Sequence, residues 1–131
     1  MGKLAERLAD AQRSGVYRLE STQALEEAAA LNGFALARIA LEGMPRSALC
    51  GIAADVLSRR SDGQVLLFSG GEALSRAAPD ALDRLIAQIH AAATAHREVG
   101  LRFFAAFLDP AAALSLAPLY HWQRSAAVRA A

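Results

Sequence analysis

A chain of 131 residues is the size of one domain and can bury a core unaided, while its single cysteine, Cys50, excludes an internal disulfide and a cysteine zinc cluster. The net charge is +1, and among the scattered arginines only Arg59 and Arg60 are adjacent, which is not the basic stripe of a nucleic-acid binder. No stretch approaches the roughly 18 uninterrupted apolar residues of a membrane span, and residues 1–7 are amphipathic with no apolar signal core, so no membrane partner and a cytoplasmic location are expected.

Residues 3–13 predict a first helix, occupying the segment 1–14, with Leu4 and Leu8 on one stripe and Gly15 as its stop. Residues 16–19 then predict a short strand. Ser21 and Thr22 are candidate N-caps of a second helix, with Glu26 and Glu27 placed early to suit the helix dipole and Asn32-Gly33 at its end. Residues 34–41 form the next expected strand, apolar on both faces apart from Arg38. Pro45 suits the first position of a third helix whose inner face carries Leu49, Ile52, Ala53 and Val56, before the turn signal Ser61-Asp62-Gly63.

Val65-Leu66-Leu67-Phe68 is a continuous apolar run, the mark of a strand covered on both sides. Gly70-Gly71 and a short helix around residues 72–77 follow. The longest helix opens at Pro79 with Asp80 and Asp83 in its first turn, buries Leu82, Leu85, Ile86, Ile89 and Ala93, and ends at Gly100. Residues 101–108 predict another buried strand, stopped by Asp109-Pro110, and the tail 111–131 is irregular, with Leu119-Tyr120-His121-Trp122 packing back on the body. Alternating strands and helices define one α/β domain with a small, mostly parallel sheet of three to four strands and right-handed crossovers.

Catalytic constellations are scarce. Ser69-Gly70-Gly71-Glu72 lies between a strand and a helix but has neither the dinucleotide fingerprint nor the phosphate-loop lysine, and Glu72 would repel an anion, so a tight turn is expected there. His90 and His96 are six apart and cannot share a helix face, and His121 is in the tail, so no metal is expected; His96 reads as a hydrogen-bonded core residue. Cys50 beside Leu49 and Gly51 reads as a half-buried structural thiol, and the carboxylate pairs Glu26/Glu27 and Asp80/Asp83 as first-turn dipole partners. The expectation is a chain that binds another protein, without catalytic residues or cofactor.

The order of segments resembles the barstar family of intracellular ribonuclease inhibitors, in its longer bacterial form with an added N-terminal helix and strand. The likeness runs through Gly15-Val16-Tyr17-Arg18-Leu19, Leu31-Asn32-Gly33-Phe34 and Ala37-Arg38-Ile39. It resumes at Val65-Leu66-Leu67-Phe68, Ala78-Pro79-Asp80, Gly100-Leu101-Arg102-Phe103-Phe104, Phe107-Leu108-Asp109-Pro110 and Pro118-Leu119-Tyr120-His121-Trp122. The resemblance implies a barstar-like domain over residues 1–131 that occludes a nuclease active site, with a ribonuclease as partner.

The sequence departs from the family between Leu57 and Val65, where the aromatic-glycine loop and the helix opening with Asn-Trp-Asp-Ala-Leu are replaced by Ser58-Arg59-Arg60-Ser61-Asp62-Gly63-Gln64. Residues 44–71 hold three arginines against two aspartates, a balance of +1, where a face that meets a basic nuclease cleft should be negative. No inhibitory residue of the family can be carried over. With that cover missing, some apolar sheet surface at residues 65–68 and 101–108 is expected to lie open unless the tail or another subunit covers it, favouring self-association or another protein partner; a structural or dimerisation module is the alternative reading.

Overall fold

The computed structural model describes residues 2–19, 22–58, 61–108 and 117–119. The first helix, α1 (Gly2–Ala9), is shorter than its apolar stripe suggested. Asp10 ends it by capping a separate 3-10 turn, Ala11–Arg13, its carboxylate accepting the Gln12 N–H at 3.0 Å. Gly15 is therefore not a helix stop but the first residue of β1 (Gly15–Leu19), where an added Cβ would meet the Tyr17 hydroxyl at 3.3 Å.

Helix α2 (Thr22–Leu31) buries Leu25, Ala28 and Ala29, and closes through Gly33 in the left-handed region. The Asn32 amide donates to the Ala5 and Ala28 carbonyls at 2.9 and 3.0 Å, tying the end of α2 to α1. Strand β2 (Ala35–Ala40) leads to α3 (Arg46–Ser58), with Pro45 one residue before the helix rather than inside it and its carbonyl accepting from Ala48 and Leu49. Leu49 and Val56 are buried and Ile52 packs beside them, as the helical spacing predicts; the side chain of Ala53 is outside the described set, as are Ser21, Arg59 and Arg60.

After β3 (Gln64–Ser69) come α4 (Gly71–Ala77) and α5 (Pro79–Glu98), separated by the break at Ala78-Pro79. All five residues expected on the inner face of α5 are buried, joined by Ala92 and His96, and Gly100 at φ +75° follows its end. Strand β4 (Phe103–Leu108) runs through the middle of the molecule. A two-residue strand, β5 (Ala117–Pro118), adds an antiparallel edge beyond the expected sheet; of the tail cluster only Leu119 is described, fully buried and donating its N–H to the Val16 carbonyl. Tyr120, His121, Trp122 and the Asp109-Pro110 stop lie outside the described residues.

The fold is α/β, with four parallel strands in the order β2-β3-β4-β1 and β5 beyond β1. From β1 the chain jumps across the sheet to β2 and then returns strand by strand through β3 to β4. Right-handed crossovers in opposite directions must place their helices on opposite faces. Accordingly α1 and α2 share one core with Val65, Leu67, Phe104 and Ala106, whereas α3, α4 and α5 share the other with Leu66, Phe68, Phe103, Ala105 and Phe107. Phe68 and Phe107 stack across β3 and β4 with ring centroids 4.5 Å apart. Each such fully buried phenylalanine contributes about 1.5–3 kcal/mol through removal from water.

The expected opening of the sheet does not occur. Val65, Leu66, Leu67 and Phe68 are at most 7% exposed, and Phe103 to Phe107 at most 1%, because α3, in the β2–β3 crossover, packs beside α5 and completes the layer. What is uncovered instead is β2, apolar in sequence apart from Arg38: Ala35, Ala37, Arg38 and Ala40 are exposed, since among the described residues this strand has a neighbour on one side only.

Candidate functional site

The flank formed by β2 and the outer side of α3 carries the sheet edge that has no partner strand among the described residues. Ala35 donates its N–H to the Gly63 carbonyl and Leu41 to that of Ser69, so the odd-numbered backbone groups of β2 point into the sheet. By the alternation of a strand, the N–H and C=O groups of Leu36, Arg38 and Ala40 point outward along the free edge. Neither proline nor a positive-φ residue interrupts β2, and its one charge, Arg38, is drawn to Glu26 of α2 at 2.7 Å. Beside it, α3 turns Ser47, Cys50, Gly51 and Ala54 to solvent, with Arg46 and Asp55 as the helix's only charges.

The two edges of the sheet differ in kind. At the far side β1 is screened by β5, two residues long and containing Pro118, which has no N–H to offer. The β2 edge is six residues long and has no such guard among the described residues. Exposed edges without proline, bulges or several charges are templates for strand addition.

The short connection from α3 to β3 is fixed where the sheet begins. Arg102 grips Asp62 with its Nε (3.0 Å), its terminal nitrogen (2.6 Å) and its backbone N–H (2.8 Å), while its guanidinium lies 4.7 Å from the centre of the Phe34 ring. The Arg102 side-chain hydrogen bond, reinforced by its backbone N–H, lowers the Asp62 carboxyl from 3.8 to about 2. Gly63, at φ +81°, fits beneath Phe34, whose ring would stand 2.9 Å from an added Cβ. Sequence reading singled out Asp62-Gly63 only as a turn; the long-range partners Phe34 and Arg102 carry no local signal.

The other singled-out residues do not converge. His90 donates its Nε2 hydrogen to the Leu119 carbonyl, while His96 is buried with Nδ1 donating to Ala92 at 2.7 Å and its ring on Phe103 at 4.7 Å. The Nε2 of His96 has no partner among the described residues, so the core histidine is only half satisfied. His121 lies outside the described residues. Cys50 is exposed rather than half-buried, because its position on α3 points away from Leu49 and Val56. It borders a shallow groove of about 60 Å³ between α3 and α5, with Arg46, Asp80, Arg84 and Gln88 at its rim, room for a few water molecules.

Glu26 and Glu27 fall in the second turn of α2, and Asp80 alone of its pair is in the first turn of α5. Glu26 is placed to pair with Arg38 rather than to serve the helix dipole. Gly70, at φ +78°, lets β3 turn into α4 against Glu42, whose backbone nitrogen would lie 2.8 Å from an added Cβ; the Ser69-Gly70-Gly71 turn is thus explained by chain packing. No group of three or more metal-binding side chains gathers among the described residues, and no described helix is long and apolar enough to cross a membrane.

No protein-family model, curated protein or solved structure matches the chain.

Proposed function

We propose that this chain is a protein-recognition domain of barstar type that acts by covering a partner's surface, without catalysis and without a cofactor. The observation that carries the reading is the β2–α3 flank: an unguarded parallel edge beside a helix face of small residues. Supporting it, the strands that end near Leu41, Phe68 and Leu108 lie side by side and parallel, as a barstar-like scaffold requires. The partner class suggested by the resemblance is a ribonuclease, occluded sterically.

Because the helix and strand on this flank carry few charges, contact is made by backbone groups and small side chains, and binding should depend only weakly on salt. The test is titration of the protein into a panel of small secreted ribonucleases with a fluorogenic RNA substrate. Stoichiometric loss of cleavage, reversed by Ala54→Arg on the exposed side of α3, is the expected result. Undiminished cleavage of every enzyme at large excess of the protein would overturn the inhibitor reading. The same unguarded edge favours a second reading, a structural module that self-associates in the cytoplasm.

A further inference from the structure

We propose that the groove between α3 and α5 receives a glutamate side chain from an acidic segment of a partner protein, with its carboxylate held between Arg46 and Arg84. The inference goes beyond the reading of the β2 edge, because the groove opens on the α5 side of α3.

Helical spacing assembles the site. On α5, Asp80, Arg84 and Gln88 follow at intervals of four and form a single stripe, with Ala81 and Leu85 on the stripe beside it. On α3, Arg46 and Cys50 are likewise four apart, and Leu49 adjoins them. Where the two helices pack, buried Leu49 and Leu85 make an apolar floor, while Arg46, Arg84 and Asp80 stand exposed at the rim.

The rim charges are not paired with one another. Arg13, Arg38 and Arg102 each lie within salt-bridge distance of a carboxylate. Among the described residues Arg46 and Arg84 meet none, although Asp80 stands one turn before Arg84. Two arginines against one aspartate leave the rim at +1, which one carboxylate neutralises and a phosphate dianion overshoots. Guanidinium groups from two helices suit the two oxygens of a carboxylate, and the half-buried Gln88 amide adds a neutral donor.

Size and floor narrow the ligand further. A volume of about 60 Å³ admits about four to six waters. That is room for the end of one side chain but not for a nucleotide or an organic cofactor, so the rest of the ligand runs outward over the surface, as a protein segment does. The methylenes of a glutamate would lie on Leu49 and Leu85 while its charged end reaches the arginines.

Amide NMR titration with an acetylated and amidated Ala-Ala-Glu-Ala-Ala peptide should shift Cys50 and the Gln88 side chain, saturating at about millimolar concentration. The same peptide with glutamine in place of glutamate should leave both unmoved, and one with phosphoserine should bind more weakly. Arg46→Gln and Arg84→Gln should each raise Kd about fivefold or more. Asp80→Asn should lower it and admit the phosphoserine peptide. Circular dichroism verifies that each variant is folded.

Groove signals that stay fixed up to about 20 mM peptide, equal binding of the glutamine peptide, or a wild-type preference for phosphoserine would overturn the proposal. The nuclease titration reads the β2 flank and the peptide titration reads the groove, so failure of one does not entail failure of the other.

Discussion

Replacing Ser14 with alanine tests how the two central parallel strands are brought together. Ser14 is 1% exposed, and its hydroxyl donates to the Leu101 carbonyl at 2.9 Å while accepting the Phe103 N–H at 3.0 Å. Ser14→Ala removes a single oxygen but strands two backbone groups, the Phe103 donor fully buried and the Leu101 acceptor partly so. An unsatisfied buried group costs about 1–3 kcal/mol, so the expected destabilisation is about 2–3 kcal/mol once the partial exposure of Leu101 is allowed for. Ser58→Ala is the control: its hydroxyl also donates to a backbone carbonyl, that of Asp55, but in an exposed setting where less than about 0.5 kcal/mol should be lost. Urea denaturation, fitted with a common slope, should move the Ser14→Ala midpoint down by about 1 M or more. Equal midpoints for the two variants would refute the claim that this hydroxyl joins the strands.

Lowering the pH should erase a contribution from Asp62. Its folded carboxyl titrates near 2 against 3.8 unpaired, so the stabilisation is present above pH 3.8 and is lost as pH falls through 2. The pair is part-exposed, at 31% and 41%, and solvent screening reduces its worth to about 1 kcal/mol. The stability gap between the wild type and Asp62→Asn, measured by urea titration, should therefore close between pH 4 and pH 2; a gap that persists at pH 2 would contradict the assignment. Gly70→Ala should cost about 1–3 kcal/mol, from the left-handed backbone and the 2.8 Å approach to Glu42, whereas Gly51→Ala, in open space on α3, should be stabilising by up to about 1 kcal/mol. Thermal melts of the two variants should move in opposite directions.

Much of the scaffold was legible because local rules and tertiary packing agree. The apolar runs at β3 and β4, the 3.6-residue spacing along α5 and the turn signals at Asn32-Gly33 and Gly100 all act through neighbouring residues, and all are realised. The errors arise where a long-range partner decides. Leu8 and Gly15 suggested one long helix, but Asp10 caps a new turn. Residues 34–41 have the apolar composition of a buried strand, yet the order of strands puts β2 at an edge, and order is a property of the whole chain. Ser14 and the Asp62–Arg102–Phe34 cluster were invisible for the same reason: Ser14 meets partners 87 and 89 residues away, Asp62 meets Arg102 40 residues away, and Phe34 lies at the start of a different strand. Of the candidate flank, the sequence offered only Arg38, the single polar residue in an apolar segment, as a sign that this strand meets solvent.

The position of β1 has a consequence for the order in which the molecule can be built. This strand lies between β4 and β5, so it has no sheet partner until β4 has been made, whereas β2 and β3 can pair as soon as both have emerged. At a synthesis rate of about 5–20 residues per second, the 89 residues that separate Ser14 from Phe103 keep Val16 and Leu19 waiting for roughly 4–18 s. During that interval the nascent protein holds two greasy side chains without their sheet partners, and sheet closure depends on β4 and β5 threading themselves to either side of β1.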